Sequence, residues 1–121
     1  MKNILKGRTM KILLDFGKDT IEAELFETRI GRNFYEKLPV KVELTNWGKE
    51  TYGEIGYDFG QENPVPAIPE GGIAYTNRGN LVCIFYGQTP AWAVDHIGQI
   101  PSPQWNRLSE IPLKQVEIKK L

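Results

Sequence analysis

The sequence is poor in the residues that redox, metal and electrostatic chemistry require. Cysteine occurs once, at Cys83, and histidine once, at His96. One cysteine builds no disulfide framework, and Cys83 sits in the apolar run Leu81 to Tyr86, the setting of an inert buried thiol rather than an exposed nucleophile. A lone histidine, with no Cys/His/Asp set at ligand spacing, gives no metal site. Walker loop, Rossmann glycine fingerprint and nucleophile elbow are all missing, so no cofactor is expected. Net charge is missing too. Lys plus Arg and Asp plus Glu number 15 each in 121 residues. A balanced chain lacks the footprint of a nucleic-acid or anionic-membrane binder. No apolar run is long enough to span a bilayer, and the first residues, Met1 to Lys6, lack the apolar core of a signal peptide. The sequence therefore reads as soluble and cytoplasmic, with neither nucleic acid nor membrane as partner.

What remains is a chain of one-domain size with strong strand patterning. Residues 1–9 read as an N-terminal extension, because the first regular pattern starts at Met10. From there Ile12, Leu14 and Phe16 alternate with Lys11, Leu13 and Asp15, and Ile21, Ala23 and Leu25 alternate with Glu22 and Glu24. A turn at Gly17-Lys18-Asp19 makes them a hairpin. Thr28 is placed to cap a helix whose buried face is Ile30, Phe34 and Leu38. Gly31 weakens this helix, Pro39 ends it, and Arg29, Arg32, Glu36 and Lys37 fall on its wet side. Val40, Val42 and Leu44 form a third strand, with turn residues from Asn46 to Lys49.

Residues 58–70 hold Pro64, Pro66 and Pro69 and no periodicity, which predicts a stiffened surface loop. The strongest signal follows. Ile73-Ala74-Tyr75, the turn Asn77-Arg78-Gly79-Asn80 and the run Leu81 to Tyr86 predict a hairpin through the core. Residues 88–95 form an irregular loop bearing Trp92, and residues 94–100 a strand containing His96. Ser102 and Pro103 predict a cap and first position for a short helix over residues 104–109. Val116 and Ile118 mark a closing strand. Many short strands with two helical pieces predict a mainly β, closed barrel with one capping helix and one short helix.

The residues Trp47-Gly48-Lys49-Glu50-Thr51-Tyr52, and the stretch from Gly71 through Gly79-Asn80-Leu81 and Ile84-Phe85-Tyr86 to Gly87, resemble the short prokaryotic cyclophilin-like family. Ile97-Gly98-Gln99-Ile100 is similar to a strand of cyclophilins themselves. The resemblance runs from Met10 to the end and implies the cyclophilin-like barrel, for a family of unknown function. Against cyclophilins, the strand Val40–Thr45 offers Lys41 and Glu43 where the resemblance would place the catalytic arginine. Trp47 to Glu54 replaces a wall of the proline pocket, His96 falls at an apolar strand position, and Trp92 lies near a loop tryptophan. An arginine stabilises the twisted amide of prolyl isomerisation, so its loss removes the main electrostatic contribution.

The expected ligand-binding residues are Trp47, Glu50, Tyr52, Glu54, Tyr75, Trp92 and His96. The aromatic members supply pocket walls. Glu50 and Glu54, four apart on an extended segment, point the same way and could share a wall where burial raises one carboxyl. Phe85 reads as barrel filling. These residues imply an aromatic-lined cleft for a small molecule or short peptide. Two other readings stand beside it. One is an enzyme, either a divergent prolyl isomerase or one using Glu50, Glu54 or His96. The other is a homo-oligomeric interaction module.

Overall fold

The computed structural model describes residues 9–121. It is mainly β with two helical pieces. Strand β1 (Thr9–Asp15) starts at the last residue of the expected extension, and residues 1–8 lie outside the described residues. No described helix is long and apolar enough to cross a membrane. Strand β2 (Thr20–Phe26) pairs with β1 so that Ile12 faces Ala23 and Leu14 faces Ile21, all buried. The turn between them places Gly17 at φ +107°, a conformation glycine adopts without steric cost.

Helix α1 (Arg29–Glu36) is capped by the Thr28 hydroxyl, which accepts from Gly31 N at 3.0 Å. The sequence marks Gly31 as a weak point, but a Cβ there would run into the Phe26 carbonyl and the Thr28 hydroxyl. Glycine lets the helix start against the end of β2. Arg29 is not merely solvated. Its guanidinium donates to the carbonyls of Phe59 and Gln61 at 2.9 Å each, and the Glu62 carboxylate accepts from Arg29 N and Ile30 N at 3.1 Å. An acidic side chain at the first helical N–H groups is favourable both as a hydrogen-bond acceptor and toward the helix dipole.

Strands β3 (Val40–Glu43), β4 (Thr45–Trp47) and β5 (Glu50–Glu54) follow. Trp47, expected in a turn, ends β4, and Gly48 and Lys49 alone make the reversal, with Gly48 at φ +62°. After the short bridge β6 (Pro64–Val65) come β7 (Gly72–Thr76), β8 (Leu81–Phe85) and β9 (Val94–Gln99). A 3-10 helix (Gln104–Glu110) and β10 (Gln115–Lys120) complete the chain. The 3-10 helix has no side-chain cap, so Ser102 does not play its expected role.

The sheet runs β3-β10-β1-β2-β9-β7-β8-β5-β4, with β6 on β9. Hydrogen bonds do not close it, contrary to the closed ladder expected. Its two end strands are instead consecutive pieces of one segment, β3 and β4, divided at Leu44. Leu44 N bonds Lys114 O on one side, while Thr45 pairs with Tyr52 on the other. The chain itself joins the sheet's ends.

The main core holds Ile12, Leu14, Phe34, Ile73, Tyr75, Val82 and Ile84 on the inner face. Burying a side chain of this size contributes roughly 1.5–3 kcal/mol. Alternation sends Ala74, Cys83 and Phe85 to the other face of β7 and β8. There they form a smaller cluster with Ile68 and Val94. The proline-containing segment lies over this outer face, held by buried Asp95, whose carboxylate accepts from Glu62 N at 3.2 Å and Asn63 N at 2.6 Å.

Candidate functional site

A cleft of about 300 Å³ opens beside the smaller cluster. Its floor comes from β5 and β8. Glu50 pairs directly with Phe85, and Tyr52 with Cys83, so these four side chains share one face. Trp47 reaches it across the β4–β5 turn. Thr76 and Leu81 bound it where β7 meets β8, and Pro90, Ala91 and Trp92 form the opposite lip.

Both lips are tied down. Trp92 Nε1 donates to Thr76 Oγ1 at 3.1 Å, the same oxygen accepts from Arg78 N at 3.1 Å, and the Arg78 guanidinium lies 4.4 Å from the Trp92 ring centre. On the other side, Lys49 N donates to Gln88 Oε1 at 2.9 Å and Tyr86 N to Lys49 O at 2.9 Å. The mouth nonetheless leaves large apolar surface open, with Trp47 54% and Trp92 39% exposed. Exposed aromatics at the rim of a concavity are what a binding site presents.

Glu50 supplies the cleft's carboxyl and is 7% exposed. Burial raises it above the ordinary value of 4.5, and a hydrogen bond with the Cys83 thiol opposes the rise. Cys83 is itself pushed far up, first by burial and then by the Glu50 charge. Such a thiol stays protonated and is no nucleophile.

The seven expected site residues divide. Trp47, Glu50, Tyr52 and Trp92 line this cleft together. Glu54 keeps to the same side of β5 as Glu50, but four residues along a strand is roughly 13 Å. It lies exposed in a separate shallow depression with Glu43, Thr45 and Tyr52. Tyr75 does not border the cleft. It points into the main core, where its hydroxyl accepts from Phe59 N at 2.8 Å and reaches Tyr57 O at 2.8 Å and Asn80 Oδ1 at 3.2 Å. Its neighbour Thr76 takes the cleft position, because adjacent strand residues face opposite ways.

His96 lines a different cavity, of about 580 Å³, with Glu24, Phe26, Thr28, Gln99 and Pro101. There its ring meets Phe26 edge-on at 4.9 Å, and Nε2 lies 3.2 Å from Gln99 Oε1. Burial lowers its basicity, favouring the neutral imidazole. Although this cavity is larger, aromatic walls from three elements meet a buried carboxyl in the smaller cleft, and we place the candidate site there. Phe85, read as barrel filling, faces the cleft. Its pairing with Glu50 would have revealed this, but only once β5 and β8 were known to be neighbours. Among the described residues no group of His, Cys, Asp and Glu could hold a metal ion.

The model of the cyclophilin-like family matches residues 10–119, and the chain belongs to that family. Its fold is similar to the solution structure of the hypothetical protein AF2241 from Archaeoglobus fulgidus. The TM-score is 0.76 and the identity 26%, over 93% of this chain and 95% of the other. No curated protein matches the chain.

Proposed function

We propose that this cyclophilin-like chain is a binding module whose outer cleft takes a small molecule or a short peptide. The observation that carries the reading is the convergence of Trp47, Tyr52, Phe85 and Trp92 on the buried carboxyl of Glu50. A pocket with apolar walls and a few fixed polar groups is the usual form of a ligand site. The hydrogen bonds across both lips favour a preformed cleft, which lowers the ordering cost of binding. A fragment screen read by chemical-shift mapping tests it. Hits should move Trp47, Tyr52, Thr76 and Trp92 together. Binding confined to residues 64–69 or to the exposed face of α1 overturns the placement.

One observation favours a second reading. A carboxyl raised by burial is the form of a general acid or base. In that reading the same cleft holds an enzyme site with Glu50 as the proton carrier, and Glu50→Gln abolishes turnover while ligand binding survives. Association of copies through Trp47 and Trp92 would instead appear as concentration-dependent shifts of the two indoles without any ligand.

A further inference from the structure

Three aromatic residues and an uncompensated carboxyl specify a kind of ligand more narrowly than the cleft's shape does. Trp47, Tyr52 and Trp92 each bring a π face or edge to the cleft, and among the described residues no lysine or arginine lines it. Among those residues Glu50 is therefore buried without a cationic partner. The titratable groups facing it are Cys83 and Tyr52, across and along the strands. The nearest basic residue in sequence, Lys49, lays its side chain against Gly87 instead. A buried carboxylate without a counter-ion is costly, and a matched cation offsets part of that cost. Aromatic faces attract cations through their quadrupole, most strongly for Trp and for weakly hydrated ammonium groups. The Arg78 guanidinium already lies over the Trp92 ring at the lip, so a bound cation uses the part of that ring which Arg78 leaves open.

We propose that the cleft takes an alkylated ammonium group, held against Trp47, Tyr52 and Trp92 with Glu50 as its counter-ion. The inference rests on the cleft being the binding site and names the chemistry that it selects. The alkyl groups bury against Phe85, Leu81 and Pro90, where a bare ammonium would lose its hydration shell without replacement. The positive charge takes the place of the solvent that burial removes from Glu50. Where Glu50 is protonated before binding, the cation displaces its proton to the buffer. Affinity for the cation therefore climbs as pH rises through the free carboxyl's titration and levels off above it.

The test titrates the full chain with choline and with its uncharged isostere, in which a tert-butyl group replaces trimethylammonium. Binding is followed by chemical shifts and tryptophan fluorescence, and a peptide bearing trimethyl-lysine forms a third arm. We expect choline to bind about tenfold or more tighter than the isostere. Its affinity should rise with pH while the isostere's stays flat, with proton release seen as a buffer-dependent heat. Glu50→Gln should narrow the gap between the two ligands and flatten choline's pH dependence, leaving the share that the aromatic faces supply. Trp47→Leu, at an exposed position that folding tolerates, should weaken choline more than the isostere. A peptide that outbinds choline identifies a polypeptide source for the group; the reverse identifies a small metabolite. Equal binding of choline and isostere at the cleft overturns the cation inference and leaves the cleft reading intact. If neither ligand moves a cleft residue and fragments bind elsewhere, both readings fail.

Discussion

The Trp92 indole donates to the Thr76 hydroxyl at 3.1 Å, so the far lip of the cleft hangs from the hairpin that forms its edge. The same oxygen takes the Arg78 amide. One buried hydroxyl thus holds both the lip and the first residues of the turn. Thr76→Val keeps the shape and β-branching but removes the acceptor. It should cost about 1–2 kcal/mol in denaturant unfolding, since two donors lose their partner. It should also speed exchange of the Trp92 indole proton and weaken any cleft ligand. An unchanged exchange rate would show that the lip is held by other contacts.

Burial gives Glu50 a pH signature of definite sign. Its folded-state carboxyl titrates above the ordinary value of 4.5. The native state therefore holds the proton more tightly than the unfolded chain. Stability falls as pH rises from the unfolded value through the folded one, and the penalty is fully present above both. Asp15 acts oppositely. Gly17 N at 2.9 Å and Lys119 Nζ at 3.0 Å lower it, so its contribution is present at neutral pH and lost on acidification. Glu50→Gln should raise the melting temperature at neutral pH relative to the parent and lose that advantage near pH 4. A constant difference across this range would mean that Glu50 is solvated when folded.

How much was legible follows from where alternation holds. The hairpin of β1 and β2, the Thr28 cap and the pairing of residues 72–76 with 81–85 come directly from period-two patterns and turn residues. The pattern does not show that Tyr75 faces the main core, because all five residues of β7 are buried, some in the main core and some in the outer cluster. With both faces apolar, nothing in the pattern says which side faces the cleft. His96 pairs with Ala74 and shares its outer face, but β9 lies between β7 and β2, and the ring meets Phe26 on the β2 side, away from the cleft. That strand order is not written in the local pattern. Arg29, Glu62 and Asp95 were illegible as a set because their contacts span a patternless loop.

Prolyl isomerisation should be slow or undetectable. The strand Val40–Glu43 pairs with β10 and carries Lys41 and Glu43, both exposed, and among the described residues no arginine lines the cleft. Without a guanidinium to stabilise the twisted amide, a contribution of about 3–4 kcal/mol is absent. A proline-peptide assay should show rates close to the uncatalysed background. Acceleration comparable to that of a cyclophilin, lost on adding a proline-peptide competitor, would contradict this.

The last prediction concerns the seam where the sheet's ends meet. Gly53 on β5 packs directly against β3, and a Cβ there would strike the Glu43 carbonyl and the Val42 Cγ1. One of those atoms is backbone and cannot rotate away. Gly53 has no positive φ, so alanine is compatible with its local conformation. In an open sheet edge, Gly53→Ala would stabilise by about 0.4–1 kcal/mol, because the unfolded chain loses freedom. At a tight seam the sign reverses, since β3 and β5 must separate and overpacking costs about 1–3 kcal/mol. Denaturant unfolding therefore distinguishes the two cases by sign. We expect destabilisation, with amide shifts spreading from Val42 and Glu43 to Tyr52 at the edge of the cleft. A stabilised variant would mean that the two ends of the sheet are held only by the chain at Leu44.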